Sequence, residues 1–514
     1  MGVRAPKRRD GPEVSDAVVI GSGPNGLAAA IRLAEAGRSV VVLEAQDQAG
    51  GAVRTESLTL PGFHHDTFSS VYPAAAASPV FDRLPLAEHG LRWVHPRVCA
   101  AHPLPDGQAI GLHRDVAETA RSLDRQCEGD GQRWMDFVTP FLEAFPAVRD
   151  TMLSGFPPVA GPVKLLRDAG PAALLRFSGL LPTSATTLGR RLFQGAGSRA
   201  WLYGAAMHGD TPPERAGSAI ASFYLSLLGH AVGWPSPRGG AQALTDALVA
   251  HLRTLGGEVR TGACVERILT NGGRVSGVGV AGGDEVPAPV VIADVMPHAL
   301  DRLAGSALSG WYRGMLRRYT YGPATLKLDW ALDGPIPWLN QEVRDAGTVH
   351  VAGTEDEFLA TVRQASHGLP ARPFLLLGQQ SVADPSRAPE GKHTAWAYTH
   401  APADAAWATG QPALVAAIER QVERFAPGFQ DLILARHVLG PADLQARNAN
   451  LVHGDVGGGS YALRQTVFRP MPSRSPYRTP IDGLYLGSAA TFPGGAVHGV
   501  PGDAAARAAL RRGG

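Results

Sequence analysis

The chain has 514 residues, 44% hydrophobic and 18% charged, long enough for a large two-lobed enzyme and too apolar for a disordered one. Lys plus Arg number 48 against 46 Asp plus Glu; a net charge of +2 leaves no basic excess for a nucleic-acid footprint. Three widely spaced cysteines, Cys99, Cys127 and Cys264, exclude a disulfide scaffold and a CxxC metal or redox pair, and fit a reducing, cytoplasmic compartment.

Residues 1–15, with Arg4, Lys7, Arg8 and Arg9, read as a basic flexible tail, because no apolar stretch of secretory-signal length follows. From Asp16 the chain reads strand, turn, helix, strand. Ala17-Val18-Val19-Ile20 leads into Gly21-Ser22-Gly23-Pro24-Asn25-Gly26. The Ala- and Leu-rich run Leu27 to Ala36 ends at Gly37, and Val40-Val41-Val42-Leu43 closes at Glu44. Neither strand alternates, as in a parallel sheet covered on both faces, so this is a βαβ unit. Val159 to Leu181 mixes leucines with Lys164, Arg167 and Arg176 between Pro162 and Pro171. It reads as a helical lid on the protein itself, or as an interfacial segment giving a peripheral membrane contact through 159–181. Arg215 to Arg238 encloses no charge, yet Gly229, Gly233, Pro235 and Pro237 interrupt it; Ala219 to Leu228 is a buried helix followed by a turn.

A second α/β patch opens at Arg238-Gly239-Gly240. A helix runs to Gly256-Gly257, then strands are expected at Val259–Thr261, Val265–Leu269, Val275–Val280 and Val290–Ile292. A third patch is the strand Gly483-Leu484-Tyr485-Leu486-Gly487, a Pro-Gly-Gly element and an Ala-rich helix, Asp503 to Arg511. The stretches 76–237 and 301–477 lack this rhythm and read as a second domain.

GxGxxG in its strand–turn–helix setting is a dinucleotide fingerprint. Gly21 makes the turn, Gly23 lets a pyrophosphate reach the backbone, and Gly26 lets the helix pack close; Pro24 and Asn25 open the helix whose N-terminus faces the phosphates. Glu44 suits the ribose hydroxyls, with Ala45 beside it. A second glycine pair, Gly50-Gly51, continuing to Arg54, suits the longer FAD rather than NAD. Only one such fingerprint is present, because the glycine-rich Gly277 to Gly283 lacks a following helix. A built-in NAD(P)H domain is therefore not expected, and electrons would leave to oxygen, a quinone or another diffusible acceptor.

The segments Val18 to Glu44, Gly50 to Thr55, Pro61 to Asp66, Pro237 to Gly240, Asn448 to Asp455 and Tyr477 to Ala505 together resemble the phytoene desaturase-like FAD-dependent oxidoreductases. Carotenoid desaturases and ketolases belong there, within the wider amine oxidase superfamily. The likeness covers essentially the whole chain. It implies an α/β fold: a Rossmann-type domain binding FAD non-covalently, assembled from 16–75, 238–300 and 478–514, plus an α+β substrate or cap domain from 76–237 and 301–477. It further implies that Val265 meets the adenine through its backbone, and that Gly495, Ala496, Val497 and His498 lie near the flavin pyrimidine and ribityl. Gly487 and Ser488 end the last strand on that side. The chain departs from many relatives here, since Gly487-Ser488-Ala489-Ala490-Thr491 offers the flavin no carboxylate.

Proton transfer during C–H oxidation needs a base, and histidine titrates nearest neutral pH. His498 in the flavin-side motif is a candidate, as are His65 and Asp66 after the Gly-Gly loop. His350 reads as a satisfied core residue. No metal-ligand spacing or Ser–His–Asp order stands out. Trp330, Trp338, Phe358, Phe374, Trp396 and Tyr398 would line a site for an elongated apolar substrate. The expectation is an FAD-dependent dehydrogenase, desaturase or oxidase acting on a C–C or C–X single bond of a hydrophobic small molecule, by hydride transfer to flavin N5. A ketolase, an amine oxidase and a non-catalytic FAD-binding regulator remain open on the same residues, as does the oligomeric state.

Overall fold

A computed structural model describes residues 15–209 and 211–511; the basic tail lies outside the described residues except for Ser15. The apolar runs Ala17–Ile20, Val40–Leu43, Val291–Ala293 and Leu484–Leu486 are buried along their length. With Glu258–Arg260 they make a five-stranded, all-parallel sheet. Its spatial order is Leu484–Leu486, Val291–Ala293, Ala17–Ile20, Val40–Leu43, Glu258–Arg260. Three distant parts of the chain therefore meet in one sheet.

The first helix, Pro24–Glu35, starts directly after the first strand, and its alanines let neighbours approach closely. The C-terminal helix, Val500–Leu510, crosses it so near that a Cβ on Gly502 would stand 1.8 Å from the Asn25 carbonyl oxygen. Only glycine fits there. Asp503, 3% exposed, ties the crossing together by accepting from Arg32 at 2.7 Å and Arg83 at 3.1 Å, and pairing with Arg507 at 2.8 Å.

The second sheet has seven strands, in the order Ile433–Leu439, Ala324–Leu332, His393–Ala401, Leu375–Gly378, Ala346–Val351, Val98–Pro103, Ala109–Leu112. Its pairs are antiparallel except Ala346–Val351 with Val98–Pro103. Period-two alternation gives this sheet two unlike faces. Leu326, Leu328, Trp330, Leu332, Leu375, Leu377, Val349 and Val351 share a core with Leu414, Ile418, Val422 and Phe425 of the helix Trp407–Phe425. The other face carries Thr325, Lys327, Asp329, Trp396, Tyr398 and His400. Trp330 and Trp338 thus belong to the far-side core, not to a substrate lining: successive residues of a strand point to opposite faces, so Trp330 turns away from Asp329, and Trp338 beyond the strand packs in the same core.

The segment 159–181 packs as a lid, Ala160–Leu180, bent where Gly170 takes φ 80°. Leu165, Phe177 and Leu180 are buried, and Phe177 meets Phe141 and Phe223 edge-on or tilted. Val159, Val163 and Leu166, one helical face apart by four and three residues, stay exposed. Among the described residues no helix is long and apolar enough to cross a membrane. The glycine-rich 277–283 stretch sits in an antiparallel hairpin, Val265–Asn271 against Arg274–Val280, which makes no second dinucleotide turn.

Candidate cofactor and substrate site

Two glycine turns face each other at the C-terminal edge of the parallel sheet. A Cβ on Gly26 would lie 2.0 Å from the Gly21 carbonyl oxygen, and one on Gly51 3.0 Å from the Gly23 Cα. The turns therefore approach through bare backbone, leaving N–H groups and a helix N-terminus for a diphosphate. Glu44, 7% exposed, closes the second strand and accepts from Ser22 N at 2.9 Å, Ser22 Oγ at 2.6 Å and Gln46 N at 2.9 Å. Ala45 beside it is exposed. Ala263 N donates to the Glu44 carbonyl at 2.7 Å, which brings Val265 to the same end of the sheet. Arg54 is 5% exposed, yet its Nε has no acceptor; Asn25 Oδ1 is also buried and unpartnered. A buried guanidinium with an idle donor beside a glycine cradle is a fit for an anionic cofactor.

Asp294 closes the third parallel strand as Glu44 closes the second, and the sequence reading passed over it. Its carboxylate accepts from Gly26 N at 2.9 Å, and its carbonyl from Asn450 Nδ2 at 2.9 Å. Burial, with the Glu44 carboxylate nearby, pushes Asp294 up to about 7. The signal was an acidic residue directly after Val291-Ile292-Ala293. Asn450 lies within 301–477, so that interval also supports the nucleotide side. A Cβ on Gly23 would stand 2.9 Å from Asp294 Oδ2. Gly23→Glu is therefore expected to abolish cofactor binding, by filling the diphosphate space and adding a charge that repels both Asp294 and phosphate. A yellow variant with full flavin content would contradict this cradle.

The C-terminal loop is held from several sides. Gly487 N bonds the Ala293 carbonyl at 3.0 Å, and Ser488 is buried, its Oγ accepting from Ala490 N at 3.3 Å. Gly495 packs against the 457–459 glycine turn: its Cβ would fall 2.2 Å from the Gly457 carbonyl oxygen. Ala496 takes φ 81°, a left-handed backbone that a non-glycine residue adopts at some cost. Val497 follows, half-buried.

His498 is engaged inside the loop. Its Nε2 bonds the Gly495 carbonyl at 3.1 Å, and its Nδ1 accepts from Val500 N at 3.2 Å, so both ring nitrogens are used within the loop. Burial pushes it down to about 4. It braces the loop and the start of the C-terminal helix. Asp66 is structural as well. It takes a bidentate pair from Arg387 at 3.0 and 3.0 Å, and bonds from Thr55 Oγ1 and Ala241 N at 2.8 Å each. Arg387 was invisible in the sequence because it stands 321 residues from Asp66.

His65 does reach the polar sheet face, where its Nδ1 stands 3.7 Å from Asp329 Oδ1 and its Nε2 bonds Thr59 Oγ1 at 2.7 Å. Burial, then Lys327, push it down to about 3, so it is neutral near pH 7, and it braces Thr59 against this face. The chemistry-bearing pair of this face is Lys327 and Asp329. Both are buried, and Lys327 Nζ donates to Asp329 Oδ1 at 2.5 Å. Burial raises Asp329 to about 6 against the pull of Lys327, and its Oδ2 has no partner. Trp396 lies over Lys327, with Nζ 5.9 Å from a ring centroid, and stacks on Tyr398 at 5.8 Å and 7°. A Lys and an Asp two apart in the apolar strand Ala324–Leu332 were the missed signal. Farther along, His350 meets His208 at 2.9 Å, Nε2 to Nε2; burial first, then the other imidazole, holds His350 well below its usual value. His350 therefore sits on the site face, where the helix Ala196–Ala206 covers it, since a Cβ on Gly204 would fall 2.2 Å from its Nδ1.

Comparisons with known proteins agree with this geometry. A model of flavin containing amine oxidoreductases matches residues 25–509. The chain is 30% identical to a rat protein named pyridine nucleotide-disulfide oxidoreductase domain-containing protein 2, over 96% of this chain and 93% of that one. It is 27% identical to a zeta-carotene-forming phytoene desaturase of Myxococcus xanthus, over 93% and 90%. The crystal structure of an oxidoreductase from Methanosarcina mazei superposes with a TM-score of 0.63 at 18% identity, covering 96% of this chain and 99% of that one. The resemblance to phytoene desaturase-like flavoproteins holds, and with it the α/β fold. The chain belongs to the flavin-containing amine oxidoreductase family, and its cofactor is FAD.

Proposed function

We propose that this FAD-dependent oxidoreductase oxidises a C–C or C–X single bond in a neutral, hydrophobic small molecule. Bound FAD supplies the hydride acceptor, at its N5. The observation that carries the reading is the charge state of the polar sheet face. Asp329 is balanced by Lys327, and His65, His102 and His208 sit at about 3, 4 and 3, so they are uncharged near pH 7. Among these described groups no unbalanced charge is left to hold an ionic substrate, whereas the Trp396–Tyr398 wall offers apolar contact. The relative named above as a zeta-carotene-forming phytoene desaturase supports the same class.

Asp329 is the group placed to take the proton that accompanies hydride loss. Its Oδ2 is buried without a hydrogen-bond partner, and burial raises its ionisation to about 6, toward the neutral range that favours a general base. Lys327 holds Oδ1 and fixes the carboxylate on a rigid strand. Asp329→Asn is expected to slow anaerobic bleaching of the flavin band by about 10²–10⁴-fold with flavin content unchanged. Bleaching at the wild-type rate would remove Asp329 from the reaction.

A second reading, amine oxidation, is favoured by the same stacked pair standing beside a carboxylate. One experiment decides between them. The FAD-loaded protein is mixed without oxygen with isoprenoid hydrocarbons in detergent and, separately, with primary amines. Bleaching by the hydrocarbons alone supports the proposal, and bleaching by amines alone overturns it. Re-oxidation by added quinone or by oxygen then identifies the electron acceptor.

A further inference from the structure

Arg469 is 0% exposed and forms no ion pair among the described residues, although a buried cation without a partner costs several kcal/mol. Its Nη2 donates to Tyr319 Oη at 2.7 Å and to the Gly458 carbonyl at 2.7 Å. The guanidinium carbon lies 4.9 Å from the Tyr461 ring centroid and 5.9 Å from that of Tyr319. Burial holds the Tyr319 phenol above its usual value, so it is neutral and balances no charge. The Tyr461 hydroxyl also accepts from the guanidinium, and Nε and Nη1 make no further well-aligned bond. Nη1 abuts the Pro493-Gly494-Gly495 turn so closely that a Cβ on Gly494 would lie 2.2 Å from it.

Bracing the Gly458 carbonyl and two tyrosine hydroxyls uses neutral partners alone. It does not explain why a full charge is kept in the interior, or why its idle edge lies at this turn. We infer that Arg469 is the countercharge for the pyrimidine edge of the flavin, acting across Gly494. The inference rests on the reading that the 493–498 loop carries that end of the cofactor. A hydride brings two electrons and one proton, so an initially neutral acceptor ends with one negative charge. A fixed guanidinium in a low-dielectric site stabilises that charge, favours the reduced form and raises the reduction potential. Arg469 is thus a tuning residue and takes no part in bond making.

The test compares flavin potentials, measured by equilibration with redox dyes, in wild type, Arg469→Gln and Arg469→Lys, all loaded with FAD. With Gln, the reduced-to-oxidised ratio at fixed potential is expected to fall by about 10- to 100-fold, about 30 to 60 mV for a two-electron couple. With Lys it is expected to stay near wild type, because the charge remains. Unchanged potential in a flavin-replete Gln variant would overturn the inference while leaving the cofactor site intact. Should the Gln variant fail to fold, wild type supplies a second measurement. Sulfite adds to flavin N5 and leaves the same negative charge on the ring, so millimolar sulfite is expected to bleach the wild-type flavin. An unbleached spectrum would overturn the countercharge. Failure of the flavin site itself would look different: the purified wild type would hold no flavin to titrate.

Discussion

Asp66→Ala is expected to destabilise the protein by about 3–5 kcal/mol, more than any change confined to the surface. The reason is the partner left behind. Arg387, 1% exposed, would lose both bonds of its bidentate pair and keep Asp384 Oδ2, at 3.1 Å, and a long bond to the Pro237 carbonyl, at 3.5 Å. The Ala241 N–H would lose its acceptor as well. Three segments are joined at this point: the Thr55–Asp66 ribbon, the start of the helix after Gly240, and the 384–387 turn. Two of them flank the glycine cradle, so loosened FAD binding is expected to accompany the lower unfolding midpoint. Asp66→Asn keeps the Oδ1 acceptor for Thr55 and Ala241 and should recover part of the loss. Thermal unfolding with and without added FAD measures both effects. An alanine variant as stable as wild type would show that the pair contributes nothing net.

Acid is expected to unfold the protein steeply below pH 6.5. His65, His102, His208, His230 and His498 are neutral in the folded state, with values near 3, 4, 3, 4 and 4, each set first by burial. Their stabilising contribution is complete above the unfolded value of about 6.5 and is lost as pH falls toward the folded values. Two acids oppose them. Asp329 and Asp294, raised by burial to about 6 and 7, contribute most below about 3.9 and lose that contribution as pH rises through their folded values. Around pH 5 the unfolded chain binds about five more protons on these five histidines and the folded chain about two more on these two carboxyls, and His350, also held well below its usual value, adds to the histidine side. The difference, 5 − 2 = 3 protons, is a slope of about 4 kcal/mol per pH unit. Against a typical total of about 5–15 kcal/mol, about one to four pH units at that slope suffice. Unfolding midpoints recorded from pH 8 to pH 4.5 check this, and a midpoint unchanged between pH 7 and 5 would contradict neutral burial.

The parts of this protein whose physics is local are legible in the order of its residues. A glycine turn between a non-alternating strand and an alanine-rich helix has essentially one use, so the cradle at Gly21, Gly23 and Gly26, its carboxylate Glu44 and the dinucleotide could be read directly. The family likeness then extended the reading to FAD. Short apolar runs likewise announced strands, because a parallel sheet buries both faces of each. What only the tertiary structure decided depends on partners far apart in the chain. His498 sits in the expected loop, but two backbone groups occupy its ring nitrogens. Asp66 follows the expected glycine pair, but an arginine 321 residues away consumes its charge. Lys327 and Asp329 gained meaning once the seven-stranded sheet separated its faces, turning Trp330 into a distant core and bringing Trp396 and Tyr398 beside the ion pair. Burial and pairing set the protonation of such groups, and both are properties of the assembled fold, which no local spacing of residues encodes.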